Sequence, residues 1–182
     1  TAANHPTDFP TGADHFSGLR GMVHKAGAAI FEEGELATSG IEDMAEQGNN
    51  GDLHDEIDAL VNSGLALSRV NGGSLSSGTE MTSVTIDVTE EFSLVTLVSM
   101  IAPSPDWFVA AENVDLFQNG EFLENVIFNG ISYDSGTDSG SSFSSGNDDT
   151  SPAEDIFLIT DAPLGNGTTV DPPVAIFTFT KN

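Results

Sequence analysis

The sequence predicts a mainly β protein, an antiparallel β-sandwich with two short helices in its N-terminal third. Three observations lead there. From residue 84 onward, apolar residues recur with period two or in short β-branched runs, the spacing of strands covered on one face or on both. Clusters of Gly, Asn, Pro and Ser separate these runs without strand–helix–strand alternation, which favours turn-linked antiparallel pairing. Before residue 70, two stretches carry helical spacing and helix stop signals instead.

Residues 1–69 read as an irregular stretch followed by the two helices. Thr38-Ser39-Gly40-Ile41-Glu42 offers a capping box, with Ser39 as N-cap and Glu42 placed to reach back to its amide. Ile41, Met44 and Ala45 then share a face, and Gly48 is a C-terminal stop. A second helix is expected over 52–62, where Leu53, Ile57, Leu60 and Val61 recur at helical spacing, acidic residues open the first turn and Gly64 follows the end. Both stripes are packing faces.

After a Gly/Ser-rich turn over 71–78, Val84, Ile86 and Val88 alternate with Ser83, Thr85 and Asp87, the pattern of a half-buried strand. Residues 92–101 form a nearly continuous apolar run, expected of a strand covered on both sides. Further strands are expected over 107–116, 121–128, 156–160 and 174–180. Asn119-Gly120 between Phe117 and Phe122 is a two-residue hairpin signal. Residues 134–152, dominated by Ser, Gly, Asp and Thr, form a long loop of the kind that is functional, ligand-held or mobile.

At 182 residues the chain suits one domain, 1–182, with a single core. Four basic residues against 29 acidic ones give a formal charge of −25, which argues against nucleic acid and anionic lipid as partners. The acidic residues are spread along the chain, as on a solvated surface, and their repulsion is eased where salt screens it, in a saline or calcium-rich exterior. The absence of cysteine rules out disulfides, thiolate chemistry and Cys-ligated metal. No apolar run reaches the length of a membrane helix. No basic, apolar leader pattern opens the sequence, so a signal peptide is expected to be either absent or already removed, with Thr1 as a mature end.

The residues with most chemistry are Asp134-Ser135-Gly136-Thr137-Asp138-Ser139-Gly140 and, at a distance, Ser104-Pro105-Asp106-Trp107. Together they supply carboxylates, hydroxyls and free carbonyls, the oxygen donors calcium takes, while Gly136 and Gly140 permit the folding back of Asp134 and Asp138. The same residues also serve as ordinary turn formers, and the spacing is neither that of an EF-hand nor of a β-helix repeat. The four histidines show no metal-binding spacing and read as hydrogen-bonded structural residues. Trp107 reads as core or as a shield over a metal, with a partner contact as the alternative. Glu32-Glu33 and Glu90-Glu91 read as solvated surface, and no nucleophile elbow, phosphate loop or dinucleotide fingerprint is present.

His5-Pro6-Thr7-Asp8-Phe9-Pro10, His15-Phe16-Ser17, Phe31-Glu32-Glu33-Gly34, the segment 37–45 and above all Leu97-Val98-Ser99-Met100-Ile101-Ala102-Pro103-Ser104-Pro105-Asp106-Trp107-Phe108-Val109, with Tyr133-Asp134 and Gly136-Thr137-Asp138-Ser139-Gly140, resemble the spondin domain family over residues 5–179. The resemblance implies a C2-like antiparallel sandwich that binds one calcium ion at Asp106, Asp134 and Asp138. Spondin domains usually begin with a further strand ahead of the segment matching Asn4-His5-Pro6. Its slot is therefore expected to be empty or filled by a neighbouring molecule, with 174–180 or the N-terminal stretch as donor.

The expected function is that of a secreted or cell-surface, non-catalytic calcium-binding module for adhesion or matrix association, with an extracellular protein, a polysaccharide or a second copy as partner. One alternative is a structural subunit of a fibre or surface layer built by strand complementation. A calcium-dependent hydrolase is the other, and the sequence offers it no carboxylate pair or nucleophile.

Overall fold

The computed structural model describes residues 9, 10 and 12–182. In chain order the elements are β1 (His15–Phe16), β2 (Arg20–His24), α1 (Ser39–Gln47), α2 (Gly51–Asn62), β3 (Ala66–Asn71), β4 (Leu94–Ala102), β5 (Trp107–Asp115), β6 (Phe117–Gln118), β7 (Glu121–Phe122), β8 (Asn125–Asn129), β9 (Ile131–Asp134), β10 (Phe157–Leu158) and β11 (Ile176–Thr180). Every pairing is antiparallel. The large sheet runs β10-β9-β5-β4-β2-β3, with β1 also on β4.

β4 lies near the middle of this sheet and shows why its sequence is apolar almost throughout. Val98 faces one way, into a cluster with Met22, Phe108 and Ala110 that packs on Ile41, Met44, Leu53 and Ile57 of the helices. Val95 and Leu97 face the other way, toward Val126 and Phe128 of β8 and Phe177 and Phe179 of β11. Helices thus cover one face and the β8–β11 ribbon part of the other, a sandwich-like arrangement around a two-sided strand. Each fully buried aliphatic side chain here contributes roughly 1.5–3 kcal/mol.

Several sequence expectations are met. Gly48 caps α1 in the left-handed conformation (φ 65°). Asn119 and Gly120 both have positive φ, 55° and 83°, and join β6 to β7 as the hairpin expected of that pair. His24 is buried and bonded through its two ring nitrogens to the Lys25 carbonyl (3.0 Å) and the Thr96 hydroxyl (2.9 Å). Burial lowers its pKa, as for a structural neutral imidazole.

Other expectations are corrected. The N-cap of α1 is Thr38, whose hydroxyl accepts from Ile41 N–H at 3.2 Å. In place of a reach-back by Glu42, the Glu56 carboxylate of α2 accepts from the Thr38 hydroxyl (2.8 Å) and from Gly40 N–H (2.9 Å), so a tertiary partner replaces the local one. Residues 84–88 form no strand, because no segment among the described residues pairs with them.

Strands β1, β2 and β3 occupy positions read as irregular chain or turn. Gly21 interrupts the apolar pattern of β2, yet β2 lies between β3 and β4. There a Cβ at Gly21 would stand 2.0 Å from the Thr96 carbonyl oxygen. The residues His5-Pro6-Thr7-Asp8, part of the family resemblance, lie outside the described residues.

Candidate metal centre

The register of the large sheet brings two of the three candidate aspartates together. β5 and β9 pair with Trp107 opposite Asp134 and Phe108 opposite Tyr133. Asp106, just before β5, therefore stands beside the end of β9, and Ser135 N–H continues the ladder to the Asp106 carbonyl at 3.2 Å. Gly136 (φ 75°) then turns the chain back; a Cβ there would lie 2.3 Å from the Glu154 carbonyl oxygen. The turn aims successive amides at one oxygen: Asp106 Oδ2 accepts from Thr137 N–H at 2.8 Å, Asp138 N–H at 3.1 Å and the Ser135 hydroxyl at 3.0 Å.

The other oxygen, Asp106 Oδ1, is buried and has no hydrogen-bond partner. Asp106 is 0% exposed and Asp134 9%. Asp134 accepts from the Trp107 indole N–H (3.0 Å) and from Gly136 N–H (2.9 Å). Trp107 is thus both core and partner of the cluster. Burial first, and then the charge of the Asp106 carboxyl, push the Asp134 pKa up to about 7 against the pull of these two donors.

Asp138 is 6% exposed, but its carboxylate is turned to loop amides, accepting from Gly140 N–H at 2.7 Å and Asp148 N–H at 3.1 Å. It meets Asp106 through its backbone only. Among the described residues, no three His, Asp or Glu side chains converge closely enough to form a preformed cage. The long loop itself is tied down by Ser139 N–H to the Asp148 carbonyl, Thr150 N–H to the Thr137 carbonyl and Glu154 N–H to the Gly136 carbonyl.

A residue that the sequence reading passed over also faces this cluster. Glu46, in the last turn of α1, is half-buried and lies close enough to this loop for Asp106 and Asp138 to act on its carboxyl. Burial, followed by Glu42, Asp106 and Asp138, raises its pKa. Its i, i+4 spacing from Glu42 was visible in the sequence; its approach to a loop about 90 residues away was not. Among the described residues, no basic side chain is paired with these carboxyls. The ion pairs among the described residues, Lys25–Glu91, Arg69–Asp58 and Lys181–Glu124, all lie elsewhere.

The Spondin_N family model matches residues 1–166. The chain is 36% identical over 146 residues to Spondin-2 of Rattus norvegicus, a match covering 80% of this chain and 44% of that protein. Spondin-2 of Homo sapiens is 36% identical over 149 residues, with the same shares. Spondin-1 of Gallus gallus is 30% identical over 163 residues, 86% of this chain and 20% of the relative. The chain spans less than half the length of these curated relatives. The spondins are secreted proteins of the extracellular matrix, and no helix among the described residues is long and apolar enough to cross a membrane. On its sequence and its match over most of its length, the chain belongs to the Spondin_N family.

Proposed function

We propose that the chain is an extracellular, non-catalytic module whose loops are pinned by one calcium ion, and that it serves adhesion or matrix association. One observation carries this reading: Asp106 Oδ1 is buried without a donor, beside a second nearly buried carboxyl and without a basic partner among the described residues. Buried like charges are costly unless a proton or a cation offsets them. All-oxygen donors, carboxylates with hydroxyls and carbonyls nearby, suit a hard divalent ion that takes six to eight oxygens.

Asp106 and Asp134 would hold the ion. Asp138 would join them by releasing the Gly140 and Asp148 amides, and Glu46 would balance charge from α1. Bound calcium supplies positive charge that ties the Asp106 loop to the loop after β9, so that one end of the sheet presents a fixed surface. The recognised partner is an extracellular protein or a polysaccharide, in keeping with the secreted setting of the spondins.

Calorimetric titration of calcium into the wild type and Asp138→Ala tests the assignment. Binding in the wild type and a loss of at least tenfold in affinity in the variant are expected. No binding heat in the wild type, or unchanged affinity in the variant, would sink the assignment.

A further inference from the structure

The face of the large sheet opposite the helices is only partly covered. β8 and β11 lie over one side of it and the unpaired segment 82–88 over the other, and an apolar groove of about 830 Å³ lies between them. Its floor includes Leu19, Val70, Leu97 and Leu116. One wall presents Ile86 and Val88, with Thr85 and Asp87 outward, and the other Phe177 and Phe179 of β11.

The walls carry unsatisfied backbone. Among the described residues, no main-chain N–H or C=O of residues 81–88 forms a hydrogen bond; the one contact from this segment is the Thr82 hydroxyl accepting from Gly73 N–H at 3.1 Å. Among the described residues β11 pairs with β8 alone, which leaves alternate amides and carbonyls along its other edge unpaired. Among the described residues, each wall therefore has the side-chain alternation of a strand and at least one row of unpaired hydrogen-bonding groups.

An apolar floor flanked by two such rows calls for an occupant that supplies apolar side chains and peptide groups together, which an extended polypeptide does and a lipid chain does not. Charge decides whose strand it is. A second copy brings another −25, onto a rim that carries Glu80 and Asp87 and whose one cation among the described residues, Lys181, is already paired with Glu124. The C-terminal segment expected as a donor is already engaged, with Ile176–Thr180 paired to β8 as β11.

We propose that this groove receives one extended strand from a different polypeptide, aliphatic at alternate positions and basic or neutral between them, which completes the second layer between residues 82–88 and β11. The groove and the aspartate cluster involve different residues, so this inference stands or falls apart from the calcium reading.

The probe is a labelled peptide alternating lysine and valine, about nine residues long, near the upper length of ordinary strands. Its control carries proline in place of the central valine. Anisotropy is read at physiological salt, with amide hydrogen exchange on the same complex. The expected result is saturable binding, at least tenfold weaker for the proline control, with exchange slowed at least tenfold at 82–88 and along β11. Thr85→Pro, which removes an amide unbonded in the free protein, should weaken binding at least tenfold. Val84→Glu, on an exposed side chain, provides the same test should the first variant fold poorly.

Equal binding of parent and control peptides, or binding without protection at these two segments, would show attraction by charge alone and overturn the proposal. So would no binding. Sedimentation showing a dimer that protects the same amides without peptide would assign the groove to a second copy, and uptake of a detergent monomer without protection would make it a lipid site; either result also overturns it.

Discussion

Asp106→Asn separates the role of the buried charge from the role of the fold. The amide oxygen can keep the three donors now on Oδ2, from Thr137, Asp138 and Ser135. The amide nitrogen then takes the place of the partnerless Oδ1 and is expected to donate to the Asp134 carboxyl, on which the Asp106 side chain acts. A hydrogen bond to a charged group contributes roughly 1.5–3 kcal/mol. In EDTA at neutral pH the variant should therefore be more stable than the wild type by about that amount, or by roughly 3–12 °C in Tm at 2–4 °C per kcal/mol. With calcium at a hundred times its Kd, the wild type gains about 2.7 kcal/mol and the variant should gain little, so the gap closes or reverses. Scanning calorimetry of both proteins with EDTA and with calcium reads all four values. A variant less stable than the wild type in EDTA would refute the claim of an uncompensated buried charge, and a calcium-dependent rise surviving in the variant would refute the placement of the ion.

Two further predictions concern the same end of the molecule. Since burial and Asp106 raise the Asp134 pKa to about 7, the calcium-free native state holds a proton that the unfolded chain, titrating near pH 4, has released. This contribution is fully present below about pH 4 and is lost as pH rises to about 7; the shift sets a ceiling near 4 kcal/mol, and partial solvation of a coupled pair brings the expected loss to about 2 kcal/mol. Urea unfolding in EDTA at acidic and slightly alkaline pH, wild type minus Asp134→Asn, isolates it, and a difference independent of pH would contradict it. Gly136→Ala, at φ +75° and with its new Cβ 2.3 Å from a backbone oxygen, should cost at least about 2 kcal/mol, while Gly146→Ala, with open space around it, should stay within about 0.5 kcal/mol. Equal denaturation midpoints for the two variants would mean that the turn after β9 is not under this constraint.

Local chemistry made some features legible and left others hidden. The β4 segment announced its burial because both faces needed apolar residues, and the Asn119-Gly120 turn announced itself because few other residues accept positive φ twice in succession. β2 was hidden because Gly21 is explained only by its two neighbouring strands. Residues 84–88 misled in the opposite sense: alternation reports which side chains face the core, whereas a strand also needs a hydrogen-bonding neighbour.

The same division runs through the candidate centre. Oxygen-rich composition, the glycine after Ser135 and the aspartates at strand ends were in the sequence, and with them the family. That Asp106 and Asp134 adjoin follows from the register of β5 on β9, which pairs residues 27 apart and cannot be counted off along one chain. The turning of Asp138 toward Gly140 and Asp148, the approach of Glu46 and the lone oxygen of Asp106 were likewise settled only by packing. Residue types and their spacing determine what chemistry a segment can offer. Which carboxyls share one buried volume, and which are left without a donor, depends on contacts between segments far apart in the chain, and those exist only once the sheet has formed.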